Sequence, residues 1–202
     1  MSQISITPNP SGTGVFTIAS PATSTDRTLT LPDEAGTIIT TAGVPSSAMP
    51  AGSVLQVVSA TKTDTFSTSS VSFVDITGLS VSITPTSTSS KILIIFSLPA
   101  SSSSSAGWYC NLVRNSTNIV VGDAAGSRVQ TTVSSYIAPT SQSFPMSFQY
   151  LDSPSATSAT TYKLQLRAQS DFTAYVNRSA TDTDNIYYQR TASTITVMEI
   201  AG

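Results

Sequence analysis

Histidine is absent from this chain, and cysteine occurs once, at Cys110. Without histidine there is no Ser-His-Asp or Cys-His relay and no imidazole to hold a metal. A single thiol makes neither an intrachain disulfide nor a thiolate zinc site, so the fold must rest on packing and strand pairing, with Cys110 read as a small buried apolar residue. Charge is scarce too: 9 Lys and Arg against 11 Asp and Glu, together 10% of 202 residues. The cations are scattered, which excludes a nucleic-acid surface. No apolar run approaches the ~20 residues of a membrane helix. The N-terminus has neither the basic start nor the apolar stretch of a secretory signal, so the expectation is synthesis in a cytoplasm without export by that route or membrane insertion. A phosphate-binding Gly-rich loop, a dinucleotide fingerprint and a nucleophile elbow are all missing. No cofactor and no enzymatic activity are expected, although a facing pair of carboxylates stays open because spacing in sequence does not show it.

What the chain has in quantity is serine and threonine, about a third of all residues, far above ordinary usage. These hydroxyl side chains can coat the wet face of a strand without breaking it. An apolar content of 39% and a net charge of -2 separate the chain from disordered ones. Length allows one core-forming domain and an appendage.

Residues 1–40 read as short strands cut by turns at Pro8 to Gly12, Ser20-Pro21 and Pro32 to Gly36. Their apolar positions include Ile4, Ile6, Phe16, Ile18, Leu29 and Leu31. Strands this short bury no core alone, so the segment must pack on copies of itself or on a larger assembly. Residues 41–52, with Gly43, Pro45, Pro50 and Gly52, read as a linker, and residues 53–202 as the main domain.

In that domain a period of two dominates. Leu79, Val81 and Ile83 alternate with serine and threonine, Met146, Phe148 and Tyr150 with Ser147 and Gln149, and Tyr162, Leu164 and Leu166 with Lys163, Gln165 and Arg167. Further runs at Val54 to Thr61, Trp108 to Arg114, Ile119 to Val121, Ile186 to Gln189 and Thr194 to Ile200 predict an all-β antiparallel sandwich or jelly roll. The run Ile92, Leu93, Ile94, Ile95, Phe96 breaks the alternation by being apolar on both sides. Its second side meets either a covering loop such as 101–107 or another copy of the chain; a subunit interface through these five residues is the preferred reading.

Two loop sets draw attention for binding. Asp182 and Asp184 are closely spaced acidic oxygens of the kind calcium takes, without the glycine and distal glutamate of an EF-hand. Tyr136, Asp184 and Asn185 offer an aromatic face beside hydrogen-bonding groups, which suits a glycan.

The stretches Gly14 to Pro21 and Arg27 to Ile38 resemble a motif of bacteriophage tail-fibre and virion structural proteins. Val54 to Ser59, Thr63 to Thr68, Ile76 to Pro85, Ser89 to Leu93, Leu151 to Pro154 and Ser193 to Ile200, in that order, resemble the head domains of marine, especially cyanobacterial, phage fibres. The resemblance implies a virion protein: an interleaved trimeric β segment that docks to tail or capsid proteins through Ile4, Ile6, Phe16, Ile18, Leu29 and Leu31, followed by a jelly-roll head in a homotrimer that binds a bacterial surface glycan or protein. A capsid-bound head fibre or decoration protein is the alternative, and a polysaccharide-degrading spike a third. The chain departs from long tail fibres in having no extended shaft and no coiled coil.

Overall fold

The computed structural model describes residues 48–137 and 142–202, with positions 10–15, 17, 22, 24–26, 28 and 44. The chain separates into two compact units, Met1–Ile39 and Thr40–Gly202. In the first, the described positions are exposed and Pro10-Ser11 forms a turn. The docking residues expected at Ile4, Ile6, Phe16, Ile18, Leu29 and Leu31 lie outside the described residues.

The second unit contains β1 (Val54–Lys62), β2 (Phe66–Thr68), β3 (Val74–Ile83), β4 (Lys91–Ser102), β5 (Ala106–Arg114), β6 (Thr117–Ile119), β7 (Val133–Ile137), β8 (Phe144–Asp152), β9 (Thr160–Ala168), β10 (Ala174–Val176) and β11 (Ser193–Ile200). Among the described residues there is no α-helix, and hence none long and apolar enough to cross a membrane. Sheet I runs β1-β11-β4-β10-β2, with β8 on the other side of β4; sheet II runs β3-β9-β5-β6, with β7 also on β5. Every pairing is antiparallel. Setting aside the three-residue strands β2, β6 and β10, sheet I takes the first, eighth, third and sixth strands, and sheet II the second, seventh, fourth and fifth. That winding is a jelly roll.

Alternation explains each layer. In β9 the buried positions Tyr162, Leu164, Leu166 and Ala168 alternate with half-buried Lys163, Gln165 and Arg167. In β11 Ile195 and Val197 point inward while Thr194, Thr196 and Met198 point out. Outward hydroxyls bond across strands, Ser59 to Thr196 at 2.8 Å and Ser82 to Thr161 at 2.7 Å. Between the layers, Trp108 is fully buried within one cluster with Phe96, Leu112, Leu164 and the small residues Ala100, Ala168 and Ala174. Each large side chain buried there contributes about 1.5–3 kcal/mol.

Polar clamps lie at one end of the sandwich. Arg114 of β5 donates to both carboxylate oxygens of Asp152 in β8, at 2.9 and 2.8 Å, and the Tyr162 hydroxyl of β9 donates to the same carboxylate at 2.7 Å. The two sheets are thereby tied together, and burial, reinforced by that bond to Asp152, pushes the Tyr162 hydroxyl's pKa up. Nearby, Glu199 is fully buried and accepts from Gln56 Nε2 at 2.6 Å and from the Thr86 amide and hydroxyl at 2.6 and 2.8 Å. Burial opposes its charge, but hydrogen bonds outweigh burial and hold the carboxyl below its ordinary range. Glu199 thus pins the β3–β4 connection to β1. Gly52 and Ser53 exchange backbone bonds with Ala201 at this same end, where the chain enters the domain.

Two expectations need correction. Ile186 to Gln189 forms no strand; Tyr187 and Tyr188 sit in a turn closed on Asn185, because the preceding acids and amide favour local side-chain-to-backbone bonds over a ladder. Ile92, Ile94 and Phe96 are core residues at 0–1% exposure, so they are not available to a subunit interface. Alternation holds from Lys91 to Leu98, beyond which Pro99 to Ser102 are all buried, and only Leu93 and Ile95 of the proposed five face outward.

Candidate functional site

The outward face of sheet I is assembled by register. Val57, Met198, Leu93 and Leu151 lie side by side across β1, β11, β4 and β8. The next row is Ser59, Thr196, Ile95 and Gln149, and the next Thr61, Thr194, Ser97 and Ser147. Val57 is 55% exposed, Leu151 49% and Ile95 39%. In these three rows no side chain is charged; Lys91, on the far side of Leu93, sits at the corner and donates to Ser153. The sequence pointed to Leu93 and Ile95 but missed Val57, Met198 and Leu151, since their alternating strands look ordinary until the register lines them up.

The outward face of sheet II is different in kind. Asp75 accepts from Lys163 and from Gln165, each at 2.7 Å, and these bonds, Lys163's first, hold its carboxyl below the usual value. The Arg167 guanidinium lies 5.4 Å from the ring centre of Tyr109. The Asp75–Lys163 pair is surface-exposed at its carboxylate, whereas the outward β5 residues Asn111 and Val113 are buried. Cys110, on the inward side of β5, is fully buried and its thiol is pushed up by burial, so it offers no nucleophile.

The third region is the end opposite the chain entry, where the β1–β3, β4–β5, β7–β8 and β9–β11 connections gather. All three residues expected to bind glycan, Tyr136, Asp184 and Asn185, lie at this end. Tyr136 is 68% exposed, its hydroxyl donating to the Ser105 carbonyl at 2.9 Å. Asn185 is exposed and its side-chain oxygen accepts the Tyr187 amide at 3.0 Å. The candidate cation ligand Asp182 is instead bridged by Arg178 at 3.1 Å and Arg190 at 2.6 Å, so its charge is already neutralised; Asp184 is exposed. Among the described residues no three His, Cys, Asp or Glu side chains group as metal ligands. Sequence reasoning missed Ile186, 93% exposed, and placed Tyr187, 74% exposed, in a strand.

No family model and no curated protein sequence match this chain. Among solved structures it overlaps the infectious bursal disease virus VP2 subviral particle at 14% identity and a TM-score of 0.32, over 72% of this chain. The overlap spans 41% of that protein's own length. So loose a likeness leaves both fold and function to the residues themselves.

Proposed function

We propose that the chain is a non-catalytic virion protein of a phage fibre: a homotrimer packed through the outward face of sheet I, held to the particle by its N-terminal unit, with the far-end loops turned to the host surface. One observation carries this reading, the contrast between the two outward faces. A row of Val57, Met198, Leu93 and Leu151 without charge is the composition of a subunit contact, whereas the opposite face carries charged side chains, with the Asp75–Lys163 ion pair half in water. The sequence resemblance to fibre heads supplies the virion context. The placement of chain entry and recognition loops at opposite ends of the sandwich suits a head on a stalk, and three copies multiply weak surface contacts through avidity.

Light scattering of the full chain tests the assembly. Three chain masses are expected, and the variant Leu93→Asp should run as one. A wild-type monomer at micromolar concentration would remove the trimer and favour a decoration module. Adsorption of the purified protein to host cells tests the attachment role.

A further inference from the structure

The loop between β10 and β11, residues 177–192, is built with more care than its length demands. Its base is Asn177, fully buried with φ of 62°, a left-handed conformation that asparagine tolerates better than most residues. The Asn177 side chain donates to the carbonyls of Lys62 and Asp64 at 2.8 and 3.0 Å and accepts from Ser193 at 2.6 Å; its backbone bonds Pro99 and Thr191. Above the base, Arg178 and Arg190 form a β-bridge and both hold Asp182, while the Arg178 guanidinium lies 4.3 Å from the ring centre of Tyr175 and donates to the carbonyls of Ser179 and Ala180. At the top, the Asn185 carbonyl takes the Tyr188 amide and its side chain takes the Tyr187 amide. A loop braced at base, middle and tip presents Ile186 at 93% exposure beside Tyr187 at 74%.

Leaving these two side chains in water forgoes burial worth about 1.5–3 kcal/mol for an isoleucine. A braced loop, however, has already lost the conformational freedom that binding would otherwise cost. An aromatic beside a branched aliphatic on a rigid projection is the kind of anchor that fills an apolar pocket at the centre of a protein contact.

We propose that Ile186 and Tyr187 form a preformed apolar finger that inserts into a pocket of a proteinaceous receptor. This rests on the attachment role above and names its partner class. A glycan needs hydrogen-bonding groups ringed around the aromatic; here the residue beside Tyr187 is isoleucine, which offers a sugar none, and Asp182 is bridged by both arginines, so the exposed Asp184 and the Asn185 amide nitrogen are polar groups left at the tip, and periodate treatment separates the two partner classes. An anionic membrane would need cations at the tip, where Asp184 is exposed and both arginines of the loop are engaged with Asp182.

The test uses fluorescently labelled full-length protein and host cells in three forms: untreated, shaved with protease, and oxidised with periodate. Wild type should bind untreated and oxidised cells and lose binding to shaved ones. The double variant I186S/Y187S should bind untreated cells at least tenfold more weakly with an unchanged melting temperature and oligomeric state, since both side chains are solvent-exposed; Ser80→Lys, on the outward face of sheet II, should bind as wild type. Equal binding by the double variant, or binding lost to periodate and kept after protease, overturns the finger while leaving the attachment role standing. Absence of wild-type binding to untreated cells overturns that role itself.

Discussion

The two outward faces of the sandwich are made by strands of the same kind and carry opposite chemistry. On sheet II, Asp75, Lys163 and Gln165 bond one another at the surface, and the Arg167 guanidinium lies over the Tyr109 ring. On sheet I, apolar residues fill one row, Ser59, Thr196, Ile95 and Gln149 the next and hydroxyls the third, and ions are kept to the corner at Lys91. In a chain with 10% charged residues, leaving one broad face uncharged is a placement with consequences for solubility. The lesson is that a sheet's hidden side and its exposed side are set separately, and the exposed side is where a proposed contact has to be tested.

The contrast can be broken most completely at Leu93. A carboxylate there, in the middle of the apolar row, should convert the assembly fully to monomer by light scattering, while Ser80→Lys on sheet II should leave it intact; dissociation by both, or by neither, would erase the distinction between faces. One residue further along the same strand the effect changes character. Ile94→Ala, on the inward side, should lower stability by about 2–5 kcal/mol in denaturant melts through the cavity it leaves. A cost below 1 kcal/mol there would mean that β4 does not keep its register.

A smaller effect is expected at Glu199, on the inward side of sheet I at the chain-entry end. Glu199→Gln turns an amide toward the Thr86 and Gln56 donors and should cost about 1.5–3 kcal/mol at neutral pH. Its folded pKa is lowered, so the unfolded chain binds the proton more readily. The stabilisation is therefore complete above the ordinary glutamate value of 4.5 and is lost as pH falls from there through the folded value. Thermal melts between pH 3 and 7 should show wild type and variant converging in acid; a constant gap would argue against the charge as the cause.

Asp75 gives the smallest effect. Its carboxyl is 53% exposed, so Asp75→Asn should cost at most about 0.2–1 kcal/mol, and less in high salt. A larger loss, unaffected by salt, would show that the sheet II face is covered after all.

How far this was legible in the sequence depends on the length scale of the signal. Tyr162, Leu164 and Leu166 announce their inward side within five residues, and so do Leu79, Val81 and Ile83. Ile92 to Phe96 announced that both sides of β4 are apolar, but not which side was already taken by the core. Ile186 and Tyr187 were read as strand because their own propensities favour one; the bonds that fix them as a turn come from Asn185 beside them and from Arg178 and Arg190, brought together only when the loop closes.

The sequence by itself determined that the domain is all-β, that it has no histidine-based chemistry and no intrachain disulfide, and where most of the longer strands lie, because alternation and turn preference act between near neighbours in the chain. Only the tertiary structure decided which strands adjoin, and with that the row of Val57, Met198, Leu93 and Leu151, the clamp of Arg114, Asp152 and Tyr162, and the gathering of Tyr136 and Asp184 at one end. Jelly-roll winding pairs strands far apart in the chain, and residues so separated become neighbours through packing that no local pattern encodes.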